Sequence, residues 1–220
     1  FSESADVRCI DHLAIANGGS LITAKLPGAM LQYELSQPGD HWVANSLAVL
    51  AAVQAVGADL AVAGLALADM GGLKGRGARH RIAVQGGEAL LIDESYNANP
   101  ASMAATLKGL GVADAARRVA VLGSMKELGD QSVKFHGALR ESIEAASVDY
   151  LLLVGEEMAA LAEALAGDVD WAGKFAHCAS VAEASERVCN EVRGGDAILI
   201  KGSNSVGLSA VVEALLGGGD

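Results

Sequence analysis

The apolar positions of the first third of the chain predict short strands followed by two helices. Four runs have the pattern of strands, and turn residues such as Pro27-Gly28 separate some of them. These runs are Ala5–Ile10, Leu13–Ala16, Ser20–Lys25 and Met30–Leu35. Apolar residues then recur at helical spacing over 41–56, before Gly57, and again over about 59–70. We therefore expect antiparallel strands and then two helices.

The pattern changes after the glycine-rich segment 71–77, which has the composition of a hinge. Arg81–Gln85 and Glu88–Asp93 flank Gly86-Gly87, a signal of a β-hairpin. Apolar strands and helices then alternate, which is typical of a parallel sheet covered on both faces. The predicted strands are Val119–Leu122, Tyr150–Val154 and Ala197–Ile200, and the helices are a run from Pro100, Gln131–Ala146, Glu157–Leu165, Val181–Val192 and Ser205–Leu216. The predicted class is α/β, with the end of one domain over 1–76 and a complete doubly wound domain over 77–220.

Composition narrows the classes of function. The chain has 16 Lys and Arg against 27 Asp and Glu, so its formal net charge is −11, which argues against binding to duplex DNA. An aromatic content of 4% argues against a platform that stacks nucleic-acid bases. Apolar residues make up 51%, enough for a core, yet no run approaches the ~18 residues of a membrane span. We expect neither a nucleic-acid partner nor a membrane span.

Other signals place the chain in a reducing compartment. Cys9, Cys178 and Cys189 are widely spaced and predict neither a disulfide framework nor a metal site. The residues after Phe1 lack the apolar segment of a signal peptide, so a cytoplasmic location is expected. Because the chain opens at Phe1 rather than Met, a fragment or a trimmed chain is expected. The sequence contains no phosphate-binding P-loop motif.

Polar residues cluster after the strand that ends near Ile92. Ligands of open parallel sheets gather beyond the carboxyl ends of strands, which makes the segment 93–100 a candidate binding site. Asn99 and Pro100 form a favourable helix start, whose free N–H groups suit an anion. The alternative is that Asp93, Ser95 and Asn99 only cap and turn the chain.

Three more segments stay open between a functional and a structural role. Lys201-Gly202-Ser203 is compatible with an anion cradle and with an ordinary strand-to-helix turn. The loop 123–130, which follows the strand Val119–Leu122, is compatible with a functional role and with an ordinary loop. The segment 74–81 holds four of the 16 Lys and Arg residues, either facing phosphate or solvated in a linker.

Two histidines lie within predicted helices. His41 and Asn45 are one helical turn apart on one face, and the spacing alone favours a capping or packed His41 over a ligand. His136 is expected to be a packed residue.

Five motifs, taken in order, resemble those of the Mur ligase family. In chain order they are Pro38–Asn45, Leu73–Gly77, Asp93-Glu94-Ser95-Tyr96-Asn97-Ala98-Asn99-Pro100-Ala101-Ser102-Met103, Val121–Gly129 and Lys201–Ser205. The resemblance runs from about residue 36 to 216. It implies that 77–220 is a Rossmann-like ligase domain and that 1–76 ends a P-loop-type central ATPase domain.

The resemblance also implies an activity. ATP would phosphorylate the carboxylate of UDP-N-acetylmuramoyl-tripeptide, and the amine of D-alanyl-D-alanine would attack the acyl phosphate, in peptidoglycan synthesis. ATP and Mg²⁺ are the implied cofactors, with the main metal ligands and the P-loop in a missing N-terminal part. A monomer is expected, and the fragment alone is expected to be inactive.

The resemblance assigns roles by motif position. Arg76 and Lys201 are the implied catalytic residues, and no metal ligand is assigned within this chain. Nucleotide would contact Asn45, His41, Arg76, Asp93 and Glu94. The sequence does not rank the last two, the acids, against each other. Substrate would contact Tyr96, Asn97, Asn99 and Ser203, with Lys201 and Ser203 as candidates for the dipeptide carboxylate. Three departures from the family pattern, Trp42, Ser124 and Asn204, remove polar or charged groups from these segments.

Two other functions remain open. One is a sister amide ligase such as folylpolyglutamate synthase, against which the Ser95–Pro100 string argues. The other is a non-catalytic Rossmann-like module that binds nucleotide or docks a partner.

Overall fold

The chain divides into two compact units, 1–72 and 73–220. A computed structural model describes residues 4–15, 19–70, 74–167 and 173–217. Of the predicted hinge 71–77, residues 71–73 lie outside the described residues. Arg76, which the sequence placed at the end of the first domain, lies in the second unit.

The first unit is a three-stranded antiparallel sheet with two helices. The strands β1 (Arg8–Ala14), β2 (Ser20–Leu26) and β3 (Ala29–Leu35) pair in that order, so the first two predicted runs form one strand. The helices α1 (Asp40–Ala55) and α2 (Leu60–Ala68) follow as predicted. The core consists of Ile22, Ala24, Leu26, Tyr33, Leu35, Val43, Leu47, Leu50 and Leu67. Since alternate residues of β2 face this core, the apolar pattern of that strand fixes its inward face.

The second unit contains a six-stranded, mostly parallel sheet. Its strands are β4 (Ala78–Val84), β5 (Gly87–Glu94), β6 (Arg117–Gly123), β7 (Tyr150–Val154), β8 (Lys174–Cys178) and β9 (Asp196–Lys201). The spatial order is β4-β5-β9-β6-β7-β8, and only β4 is antiparallel to its neighbour. The sheet and its hairpin confirm the predicted fold class, while β8 had not been predicted.

Helices cover both faces of this sheet. They are α3 (Pro100–Gly111), α4 (Ser132–Ala145), α5 (Ala159–Ala166), α6 (Val181–Glu191) and α7 (Ser209–Gly217). The first three pack into one core cluster, and α6 and α7 pack into the other. The chain therefore leaves β5 and β6 toward one face and leaves β9, which lies between them, toward the opposite face. Such a reversal opens a crevice at the carboxyl ends of the strands, where open α/β sheets bind ligands.

The described helices include none with the length and apolar character that crossing a membrane would require.

Candidate functional site

Asp93, near the end of β5, fastens the preceding segment to the sheet. Its Oδ2 accepts a hydrogen bond from the Gly75 amide at 2.8 Å, and its Oδ1 accepts from the Ser95 amide at 3.1 Å and the Ser95 hydroxyl at 2.6 Å. The Gly77 amide donates to the Asp93 carbonyl at 2.9 Å. Asp93 is 1% exposed. Both carboxylate oxygens are thus engaged in forming the turn, the structural role that the sequence left open.

This fastening brings Arg76 and Tyr96 together. The Tyr96 amide donates to the Gly75 carbonyl at 3.1 Å, and the Arg76 Cζ lies 4.5 Å from the centroid of the Tyr96 ring. Gly75 has φ +74°, and a Cβ there would lie 2.7 Å from the Tyr96 Cβ, so the approach requires glycine. Both Arg76 and Tyr96 are exposed. The result is an accessible cation beside an aromatic face, a contact of about 0.5–1 kcal/mol at exposed sites.

Lys201, the last residue of β9, points its ammonium inward. Its Nζ lies 3.0 Å from the Asn97 carbonyl oxygen and 3.5 Å from the Glu94 Oε2. Burial lowers the pKa of Lys201, and the nearby Glu94 carboxylate opposes that shift. Burial likewise raises the pKa of Glu94, against the effect of Lys201. Lys201 is 1% exposed. Its charge therefore holds the 95–97 turn against the sheet rather than facing solvent.

Asn97 and Asn99 complete this turn and lead into α3. The Asn99 Oδ1 accepts from the Ser102 amide at 2.8 Å, and the Ser102 hydroxyl accepts from the Asn99 amide at 3.1 Å. This reciprocal capping, with Pro100 as the first helical residue, confirms the helix start predicted from the sequence. The Asn97 residue is exposed.

Ser203 is tied to the loop after β6. Its amide donates to the Ser124 carbonyl at 3.2 Å, and its Oγ accepts from the Lys126 amide at 3.1 Å. A hydroxyl that accepts in this way keeps its own hydrogen for donation to a ligand. Ser203 is 7% exposed, so it is buried where the turn after β9 meets the loop after β6.

A cavity of about 290 Å³ lies beyond the ends of β7 and β8. Its lining includes Lys126, Gly155, Glu157, Ala179, Ser180 and Ser205. Lys126 forms an ion pair with Glu157, and the hydrogen bond from Lys126 lowers the pKa of that carboxyl to about 2. Glu157, which follows the predicted strand Tyr150–Val154, was not among the residues predicted from the sequence. The signal was present in the polar pair directly after Gly155.

His41 and Asn45 belong to the first unit. Both are exposed residues at the start of α1, and the His41 ring centroid lies 5.8 Å from that of Trp42. Among the residues that the structure describes, no group of three or more His, Cys, Asp or Glu side chains could hold a metal ion.

Comparison with known proteins identifies the family. A family model described as "Mur ligase, glutamate ligase domain" matches residues 79–204, which include β4 through the turn after β9. The chain belongs to the Mur ligase family. The Mur ligase segment includes Asp93, Glu94, Tyr96, Lys201 and Ser203, whereas Arg76 lies just before it.

Two curated relatives that this chain resembles carry the same ligase name. The UDP-N-acetylmuramoyl-tripeptide–D-alanyl-D-alanine ligases of Mycobacterium leprae and Escherichia coli are 35% and 32% identical, over 86% and 93% of this chain. A crystal structure of MurF from Acinetobacter baumannii matches with a TM-score of 0.83 and 26% identity, over 98% of this chain and 46% of that one. The chain spans only 39% and 43% of the length of the two relatives.

Proposed function

We propose that this chain is the carboxyl-terminal part of an ATP-dependent ligase that adds D-alanyl-D-alanine to UDP-N-acetylmuramoyl-tripeptide. The relatives that carry this name support the substrates. The observation that carries the proposal is the arrangement at the strand ends, where an exposed Arg76 and Tyr96 lie beside the turn that Lys201 and Asp93 hold.

The reaction demands positioning and charge neutralisation. ATP supplies the phosphoryl group that activates the tripeptide carboxylate, and the dipeptide amine then displaces phosphate from the acyl phosphate. The exposed guanidinium of Arg76 suits contact with nucleotide phosphates, since a fixed cation stabilises charge that develops during phosphoryl transfer. We place Tyr96 and Asn97 against nucleotide or substrate. His41 and Asn45 are also proposed as nucleotide contacts, and the main Mg²⁺ ligands would lie outside this chain.

The dipeptide would bind near Ser203. The Ser203 hydroxyl can donate to a carboxylate. The cavity of about 290 Å³, which Lys126 and Ser205 line, is close to the lower size of small-molecule sites. Lys201 then acts as a positioning residue through the Asn97 carbonyl rather than through direct contact with substrate. Asp93 and Asn99 would act in the same indirect way, because their side chains already serve the turn and the helix cap.

The proposal predicts a loss of turnover when Arg76 is replaced. In a full-length ligase that carries this chain, Arg76→Ala is expected to lower turnover at least ~10²-fold, the scale of losing one electrostatic stabiliser. The assay is phosphate release that requires both UDP-N-acetylmuramoyl-tripeptide and D-alanyl-D-alanine. Arg187→Ala removes an exposed cation from α6 and serves as the matched control.

Two outcomes would count against this assignment. Unchanged turnover in Arg76→Ala would make Arg76 a solvated linker residue. Turnover with glutamate in place of D-alanyl-D-alanine, and none with the dipeptide, would favour a sister amide ligase instead.

A further inference from the structure

Successive amides in the loop after β6 donate to different elements of the second unit. The Ser124 amide donates to the Val154 carbonyl of β7 at 3.0 Å, and the Lys126 amide donates to the Ser203 hydroxyl at 3.1 Å. Between them, the Met125 amide donates to the His136 Nε2 of α4 at 2.9 Å. One helix side chain therefore holds the middle of a loop whose next peptide group contacts Ser203.

His136 has three polar contacts, and two of them define its tautomer. The third joins Nδ1 to the Ser132 hydroxyl at 3.3 Å, and a hydroxyl can either donate or accept. The Ser132 carbonyl oxygen lies 2.8 Å from Nδ1, and a carbonyl can only accept, so Nδ1 carries the hydrogen. The Met125 amide can only donate to Nε2, so that nitrogen is unprotonated. His136 is fully buried. A neutral ring with its hydrogen on Nδ1 is the form that satisfies both contacts.

Loss of this acceptor would leave a buried donor. Met125 is 1% exposed, so its amide has no access to water in place of the ring nitrogen. The loop would have to shift to regain a partner for that amide, because buried N–H groups are rarely left unpaired. The Lys126 amide belongs to the adjacent peptide and would move with it, which would release the Ser203 hydroxyl.

We propose that His136 is a positioning residue that, as the neutral Nδ1–H tautomer, holds the Ser203 hydroxyl for binding of the dipeptide carboxylate. We call the contacts from His136 through Met125 and Lys126 to Ser203 the clamp, and all of them lie within the second unit. The assignment of the dipeptide as the ligand rests on the proposed function. His136 contacts no substrate itself and acts through Met125 and Lys126.

The clamp is tested by ¹⁵N NMR of the imidazole groups in the 220-residue chain labelled at histidine. His136, identified by comparison with His136→Gln, is expected to show a protonated Nδ1 and an unprotonated Nε2. A hydrogen on Nε2 at neutral pH would overturn the clamp, whether or not Nδ1 also carries one. This outcome does not depend on the reaction that the protein performs.

Kinetics of the full-length ligase test the consequence for Ser203. His136→Leu removes the acceptor at similar size, and we expect the KM for D-alanyl-D-alanine to rise at least ~10-fold, the scale of one lost buried hydrogen bond. The kcat and the KM for ATP are expected to stay within ~3-fold, because the clamp acts on Ser203. General misfolding would instead change kcat and both KM values together. His136→Gln, whose Oε1 can reach the Met125 amide, is expected to restore the dipeptide KM to within ~3-fold.

A double substitution links the two residues. If His136 acts through Ser203, His136→Leu with Ser203→Ala should raise the dipeptide KM no further than Ser203→Ala alone. Independent, multiplicative effects would overturn the proposal, as would an unchanged KM in His136→Leu. If His136→Leu fails to fold, His136→Asn, whose amide is too short to reach Met125, replaces it in the same cycle. A wild-type enzyme that does not use D-alanyl-D-alanine would refute the proposed function, while the tautomer would still decide the clamp.

Discussion

Lys126 and Glu157 form an ion pair, and both residues line the cavity beyond β7 and β8. The ordinary pKa of Glu157 is 4.5, and the hydrogen bond from Lys126 lowers it to about 2 in the folded protein. A carboxyl group with a depressed folded pKa adds stability above its unfolded pKa and loses that contribution as the pH falls through the folded value. The contribution of Glu157 is thus present at neutral pH and disappears between about pH 4.5 and 2.

We predict that Glu157→Gln removes this pH dependence. Wild-type protein should be more stable than Glu157→Gln at pH 7, and the difference should shrink as the pH falls below 4.5. Urea unfolding at a series of pH values measures the difference. The Lys126 side chain is 44% exposed, so the difference should also decrease in 1 M salt.

Lys126→Gln provides the matched control for this prediction. It removes the largest cause of the depressed pKa, so its own stability should show the same loss as Glu157→Gln at pH 7. A stability difference that stays constant from pH 7 to pH 3 would contradict the role given to this pair.

Lys201 illustrates what residue type and position alone leave open. A lysine at the end of a strand, before small residues, is compatible with an anion contact and with an internal tether. The chain between Asn97 and Lys201 is long, and only the pairing of β5 with β9 brings the Asn97 carbonyl to Nζ. The direction of the ammonium therefore follows from tertiary structure.

At the scale of elements, Arg117 joins the amino-terminal ends of β6 and β9. Its Nε and Nη2 donate to the two carboxylate oxygens of Asp196 at 3.1 and 2.8 Å, and its Nη1 donates to Glu191 at 2.8 Å. The hydrogen bond with Asp196 is the main cause that raises the pKa of Arg117. Asp196 is 4% exposed, so its carboxylate depends on this partner. The contact lies at the amino-terminal ends of these strands, whereas the candidate site lies at their carboxyl ends.

We predict that Arg117→Ala lowers the free energy of unfolding by about 3 kcal/mol, because it leaves the buried Asp196 carboxylate without its cation. Arg140→Ala is the matched control, since Arg140 pairs with Glu144 on the exposed surface of α4 and such pairs contribute about 0.5 kcal/mol or less. Urea unfolding of both variants provides the comparison.

Equal effects of the two substitutions would show that Arg117 contributes no more than a surface ion pair. Activity offers a separate check. The contact between Arg117 and Asp196 is remote from the candidate site, so Arg117→Ala should retain its KM for both substrates where the variant remains folded.

Elements with strong local signals were predicted correctly. The hairpin of β4 and β5 has Gly86 and Gly87 at positive φ, and α3 begins with Asn99 and Pro100. β8 was missed because it is a short edge strand of five residues whose side chains are mostly only partly buried, so its sequence lacks a continuous apolar run. The division of Arg8–Ala14 into two runs was wrong, since pairing with β2 continues across an irregularity between Cys9 and Asp11.

At the scale of the whole molecule, each unit has its own buried core. The proposed ligation chemistry requires a phosphate-binding element, and the sequence of this chain contains no P-loop motif. The strand-end cluster of the second unit would therefore supply positioning groups but not the whole machinery for phosphoryl transfer.

We predict that the 220-residue chain alone catalyses no ATP-dependent ligation. The assay is phosphate release with UDP-N-acetylmuramoyl-tripeptide and D-alanyl-D-alanine both present, and a full-length ligase is the positive control. Phosphate release by the chain alone that requires both substrates would contradict the prediction and would place the phosphate-binding groups within these residues.

The α/β class, most strands and helices, the capped start of α3 and the family follow from the order of residues along the chain. These features depend on local periodicity, turn chemistry and ordered motifs, which the chain carries without reference to its fold. Packing in three dimensions was needed to show that Lys201 faces inward, that Arg76 lies over Tyr96 and that His136 holds the loop beside Ser203. Each of these contacts joins residues distant in sequence or sets the direction of a side chain, and both depend on the strand order that packing selects.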